Sequence, residues 1–90
     1  MKLQIVSPER EVFNGEVDSV TLPGTAGTFT ILPGHAPIVS PLAAGTVAYR
    51  VKGAGEEQRF DTAGGFVEQS NNVVTVCAEP AEAEPINKKQ

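Results

Sequence analysis

Thr46-Val47-Ala48-Tyr49-Arg50-Val51-Lys52 decides the fold class: Val47, Tyr49 and Val51 fall on one parity, and Thr46, Ala48, Arg50 and Lys52 on the other. Side chains of an extended strand point alternately to its two faces, so a strict period of two marks a strand with one face buried. The flanking residues agree. Ala43-Ala44-Gly45 turns the chain into this strand, and Gly53-Ala54-Gly55-Glu56 reads as a hairpin loop leading to a partner over Glu57–Thr62, alternating around Phe60.

Towards the N-terminus the texture repeats. Lys2–Ser7 alternates Leu3 and Ile5 inward against Lys2 and Gln4, and stops at Pro8. Glu11–Phe13 begins a second strand, Asn14-Gly15 predicts a tight hairpin turn, and Glu16–Leu22 returns as its partner. Val17 breaks parity with Val20 and Leu22, which predicts a bulge or twist near Asp18. Pro23-Gly24-Thr25-Ala26-Gly27 is a turn of small residues before a strand over Thr28–Leu32, and Ile38–Leu42 forms another.

Towards the C-terminus, Gly64-Gly65 is expected to end the Phe60 strand before a new one over Phe66–Gln69. Ser70-Asn71-Asn72 makes a tight turn and Val73–Ala78 closes the domain. Helix signals are nearly absent, and strand runs recur at the spacing of roughly 8–12 residues that marks an all-β sandwich or barrel. From Glu79 onward there is little to bury. The expected organisation is a packed domain over residues 1–80 and a short polar tail over 81–90.

Composition narrows the function. Ninety residues make one domain, and the chain holds no apolar run of the roughly 18–20 residues that a membrane helix needs. Met1-Lys2-Leu3-Gln4-Ile5 carries no basic-then-apolar leader, so an unprocessed protein inside a cell is expected. A net charge of −4 with scattered basic residues argues against a nucleic-acid partner. Cys77, the only cysteine, lies in the run Val73–Ala78 and reads as a small buried hydrophobe rather than a reactive thiol.

Catalytic chemistry needs convergent titratable groups, and the inventory is thin. His35 is the only histidine, with no nucleophile in a recognisable motif to pair with it and no ligand spacing that would join it to Cys77 around a metal. Asp61-Thr62-Ala63-Gly64 approximates the Asp-Thr-Gly turn of a dimeric aspartic protease, but the inserted Ala63 spoils the match; Asp61 is expected to cap the Gly-Gly turn instead. Gly24-Thr25-Ala26-Gly27 is not a phosphate loop, since no Lys and no helix follow. Ile31-Leu32-Pro33-Gly34-His35-Ala36-Pro37-Ile38 has its path fixed by two prolines and a glycine, so it reads as an ordered loop that presents a surface.

Four segments carry a resemblance to a known family. They are Val6-Ser7-Pro8-Glu9 through Phe13-Asn14-Gly15-Glu16-Val17; Leu22-Pro23-Gly24-Thr25-Ala26-Gly27; Ile31 through Pro37; and Gly64-Gly65-Phe66-Val67-Glu68-Gln69 followed by Ser70-Asn71-Asn72-Val73-Val74-Thr75-Val76-Cys77-Ala78. Their order and joint occurrence resemble the N-terminal domain of the epsilon subunit of F-type ATP synthase, called delta in mitochondria. The resemblance implies a flattened β-sandwich of ten short strands in two sheets. It also implies a non-catalytic rotor part of the central stalk, without cofactor or metal. Its partners would be the gamma subunit and the c-ring, and it would couple proton or sodium-ion movement to ATP synthesis at the cytoplasmic face of a bacterial plasma membrane. The isolated domain is expected to be a monomer, associated with the membrane only through the complex.

Carried over residue by residue, Thr25, Ala26, Gly27, Thr28, Phe29 and Thr30 resemble the family's contact with the polar loops of the c-ring. His35, Ala36, Pro37 and Ser40 match the region facing gamma. Thr28 departs from the acidic residue of many relatives, so an ion pair to the ring is not available there. The two-helix C-terminal hairpin usual in the family is not expected within these 90 residues; the alternatives are a naturally short form, which the polar ending Lys88-Lys89-Gln90 suggests, and a truncated piece of a longer chain. The alternative from another class is a small β-sandwich module that binds an extended peptide at an open sheet edge.

Overall fold

A computed structural model describes residues 1–81, and every regular element in that span is a strand. In chain order these are β1 (Lys2–Val6), β2 (Glu11–Gly24), β3 (Gly27–Ile31), β4 (Ile38–Leu42), β5 (Gly45–Val51), β6 (Glu57–Ser70) and β7 (Val73–Pro80). The expected all-β class holds, with seven strands where ten were expected. Apart from Ala81, the expected polar tail lies outside the described residues.

Two of the strands are long, and each runs through what the sequence divides into two: β2 spans Glu11–Phe13 and Glu16–Leu22, and β6 spans Glu57–Thr62 and Phe66–Gln69. β2 pairs with β1 through Glu11–Glu16, then with β5 through Val17–Thr21 and with β3 through Val20–Gly24. β6 pairs with β5 over Glu57–Thr62 and with β4 over Gly65–Gln69, while β7 runs along it from Thr62 to Ser70. One layer therefore holds β4, the second half of β6, β7, β1 and the first half of β2. The other holds β3, the second half of β2, β5 and the first half of β6. β1 and β7, at opposite ends of the sequence, lie side by side in parallel, with Leu3 opposite Val74 and Ile5 opposite Val76.

Each long strand changes layer at an irregularity. In β2 the register shifts between Val17 and Ser19, where the break in parity placed it. In β6 it shifts between Thr62 and Gly64. Gly64-Gly65 does not end the strand as expected. Both glycines stay in the ladder at positive φ (137° and 155°), and a Cβ on Gly65 would overlap the carbonyl oxygen of Cys77. The cap is also not Asp61. The buried Thr62 hydroxyl accepts from Gly64 N at 3.0 Å and donates to the Glu79 carbonyl at 2.6 Å, while exposed Asp61 accepts from Thr46 Oγ1 at 2.8 Å.

Asn14-Gly15 is a second correction, because no turn forms there. Asn14 pairs with Gln4 and Gly15 with Leu3 inside β2. A type I′ turn needs φ > 0 at both central residues, whereas Gly15 stays extended beneath the Phe13 ring, where a Cβ would stand 3.0 Å from Phe13 Cζ. The residues that do adopt that conformation are Asn71 and Asn72, at φ 53° and 63°, in the two-residue turn between β6 and β7.

The core lies between the layers. Leu3, Ile5, Val67, Val74 and Val76 come from one side, and Val20, Leu22, Ile31, Val47 and Tyr49 from the other. Each buried Val, Leu or Ile contributes about 1.5–3 kcal/mol relative to exposure. Phe13 and Tyr49 pack against each other with ring centroids 4.6 Å apart and planes tilted by 44°. Val47 and Tyr49 are buried as their parity predicts, with Val51 half-buried at the strand end. Cys77 has the opposite parity to buried Val76 and Ala78 and is half-buried on the outer face, not in the core.

Candidate subunit-interface surfaces

The turn at Thr25–Ala26 is built by removing side chains. Gly24 and Gly27 form the last pair of the β2–β3 hairpin, leaving a two-residue connection with Thr25 and Ala26 exposed at its tip. A Cβ on Gly24 would stand 2.7 Å from the Gly27 carbonyl oxygen and 2.8 Å from the Phe29 ring. Behind the turn, Ala43 N donates to the Pro23 carbonyl at 2.7 Å. Thr28 and Thr30 are exposed, and Thr30 shares a hydroxyl hydrogen bond with Thr21 at 2.9 Å. Phe29, opposite Leu22, is half-buried and packs against the core, so its ring is not part of an outward contact.

At the other end of β3, Leu32–Pro37 forms the second expected surface. His35 N donates to the Leu32 carbonyl at 3.0 Å, closing a turn with Pro33 and Gly34 at its centre. His35, Ala36 and Pro37 are exposed, and His35 Nδ1 donates to the Ala36 carbonyl at 2.7 Å. The ring thus has a partner for one nitrogen within its own loop. β3 is five residues long, so the Thr25–Ala26 tip and the Leu32–Pro37 loop stand roughly 15 Å apart at about 3.3 Å per residue, with Thr28 and Thr30 on the strand between them.

Ser40 belongs to neither surface in the manner expected. On β4 it lies opposite buried Val67, half-buried, with its hydroxyl donating to the Pro41 carbonyl at 3.1 Å. Its neighbours Val39 and Pro41 face outward, Val39 at 73% exposure. Pro41, Phe66, Cys77 and Val6 are in register across four strands, and Phe66 is 48% exposed. Beside Phe66 and Val6 is a cleft of about 400 Å³ bordered also by Ser7, Pro8 and Glu79. Parity carries this signal, since Phe66 must face away if Val67 and Gln69 face in. Among the described residues no group of three or more His, Cys, Asp or Glu is placed to hold a metal ion.

Comparison with known proteins then decides the family. Residues 1–84 match the model of the β-sandwich domain of the ATP synthase delta/epsilon chain. The chain belongs to the ATP synthase delta/epsilon β-sandwich family. Relatives include the ATP synthase epsilon chains of Desulfitobacterium hafniense (strain DSM 10664 / DCB-2), 46% identical over 80 residues, and of Janthinobacterium sp. (strain Marseille), 42% identical over 81. These alignments cover 89% and 90% of this chain but 59% and 58% of the epsilon chains, so it spans about three-fifths of the length of those relatives.

Solved structures share the fold. A chain from the Euglena gracilis mitochondrial ATP synthase (OSCP/F1/c-ring in rotational state 1) superposes with a TM-score of 0.78 at 25% identity, over 87% of this chain and 51% of that one. A chain from the central stalk/c-ring of the Tetrahymena thermophila mitochondrial ATP synthase superposes with a TM-score of 0.72 at 18% identity, over 88% and 63%. The second likeness is one of fold alone.

Proposed function

We propose that this domain is a non-catalytic part of the central stalk of an F-type ATP synthase, bridging the gamma subunit and the c-ring and coupling proton or sodium-ion translocation to ATP synthesis. In this reading it works at the cytoplasmic face of a bacterial plasma membrane, held there by the complex. The observation that carries the proposal is the delta/epsilon match over residues 1–84, together with two exposed surfaces at opposite ends of β3. A subunit that joins two partners needs separated contact surfaces on a stiff body, and exposed segments at the two ends of β3 support that reading. Thr25, Ala26, Thr28 and Thr30 supply the c-ring surface, where threonine hydroxyls offer hydrogen bonds without charge. His35, Ala36 and Pro37 supply the gamma surface, with Val39 and Pro41 adjoining on β4.

Two exposed alanines separate the surfaces experimentally. Ala36→Glu introduces a charge on the loop and Ala26→Glu on the turn, and neither side chain is in the core. With the gamma subunit of the same organism, calorimetry should show wild-type binding through an interface of ordinary size, roughly 1,200–2,000 Å². A36E should weaken it more than about tenfold, as expected when an uncompensated charge is placed in an interface. A26E should bind gamma normally and fail in assembly onto the c-ring. Absence of wild-type binding to gamma would remove the proposal; equal effects of both variants on gamma would remove the assignment of surfaces.

A further inference from the structure

The Leu32–Pro37 loop is held to the sandwich by a side chain 38 residues further along. In the turn closed by His35 N and the Leu32 carbonyl, Gly34 has φ +84° after Pro33, the geometry of a type II turn. The central amide of such a turn takes no part in the closing bond, so Gly34 N is free to seek an acceptor. It donates to Asn72 Oδ1 at 3.2 Å.

Asn72 already has two backbone tasks. It is the second left-handed residue of the β6–β7 turn, at φ 63°, and its carbonyl accepts from Lys2 N at 3.1 Å, anchoring the start of β1. Glycine would perform both at least as well, since it adopts positive φ without steric cost and keeps the carbonyl. What glycine lacks is the side-chain oxygen. The bond to Gly34 is thus the one task at this position that requires asparagine's functional group.

We infer that Asn72 is a positioning residue for partner docking: its amide oxygen latches the tip of the Leu32–Pro37 loop to the β6–β7 turn and sets the pose in which His35, Ala36 and Pro37 are presented. The docking half of this inference rests on the reading of that loop as the gamma-facing surface. The latch itself rests on geometry alone.

Asn72→Gly retains the turn and the carbonyl and removes only the latch; Asn72→Asp restores an acceptor at the same place. Two readouts are needed in the 90-residue chain, namely exchange of the Gly34 amide followed by NMR, and the Kd for the gamma subunit. In N72G the Gly34 amide should exchange about fivefold faster or more while amides of β6 and β7 keep their protection. Binding to gamma should weaken roughly three- to tenfold, the value of one hydrogen bond. N72D should return both towards wild type. Unchanged Gly34 exchange in N72G, or an N72D that behaves like N72G, overturns the latch. Unchanged gamma affinity in N72G, with wild type binding, overturns the docking role. If wild type does not bind gamma, the functional reading and the docking role fall together, and Gly34 exchange still decides the latch.

Discussion

The two ends of β3 are shaped by opposite means. At Thr25–Ala26 the path is set by missing side chains: Gly24 lets the hairpin close against the Gly27 carbonyl and Phe29, and the ties behind it are backbone to backbone. At Leu32–Pro37 the path is set by ring constraints and by one side chain reaching in from another hairpin. The first end tolerates change at its tip and none at its base. The second has open space at its tip but a left-handed backbone at Gly34, and it depends on a residue far away in sequence. The two exposed ends of β3, proposed above as contact surfaces, can therefore be altered independently.

Glycine substitutions test the contrast most severely. Gly24→Ala must displace backbone, because its Cβ has no room beside Gly27 O, and it should cost about 1–3 kcal/mol as overpacking does, measured by urea unfolding. Gly34→Ala meets nothing within 4 Å and is penalised only by its positive φ, at about 1–2 kcal/mol, with weakened gamma binding as a second signature. If the two variants showed the same loss and the same gamma affinity, the distinction between a steric and a conformational glycine would fail.

A milder test lies beneath the loop end. Gln69, opposite Ile38 where the chain leaves the loop, is 2% exposed, and its Oε1 has no hydrogen-bond partner among the described residues. Gln69→Leu removes a buried acceptor that no donor satisfies and should stabilise the domain by about 1 kcal/mol, a gain read from the urea midpoint. A loss of stability would mean that the amide is engaged. The smallest effect is expected for His35→Ala: binding to gamma weakened a few-fold, in keeping with loss of about one contact, and an unfolding midpoint unchanged, since among the described residues the ring bonds only within its own loop. An unfolding midpoint that dropped would place His35 in the core.

Much of this architecture was legible because a period of two is a local property. Leu3, Ile5, Val47 and Tyr49 face inward as read, the Gly53–Glu56 connection is a hairpin, and broken parity at Val17 located a bulge. The misreadings share a cause. Asn14-Gly15 and Gly64-Gly65 are strong turn dipeptides locally, yet β1, β7 and β4 hold those segments extended through pairings set by distant residues. Thr62 rather than Asp61 caps the β6 bulge because its hydroxyl is directed to Glu79, a neighbour that only the fold supplies. Ser40 was assigned to a surface by motif position, while its register opposite Val67 turns the side chain inward. The family was legible from its motifs; the latch at Asn72 was not, since nothing in the sequence says that residues 34 and 72 meet.

The passage of β2 and β6 through both layers bears on how the domain carries load. In a sandwich whose sheets are joined only by loops, sliding one sheet over the other strips side-chain contacts alone. Here such sliding would have to stretch two covalent chains that cross between the sheets at their bulges. The body therefore resists shear through its backbone, and its mechanically weakest member is β3, which is fastened along a single ladder to β2. Torque passing between the two ends of that strand would be borne mainly by β2 beside it.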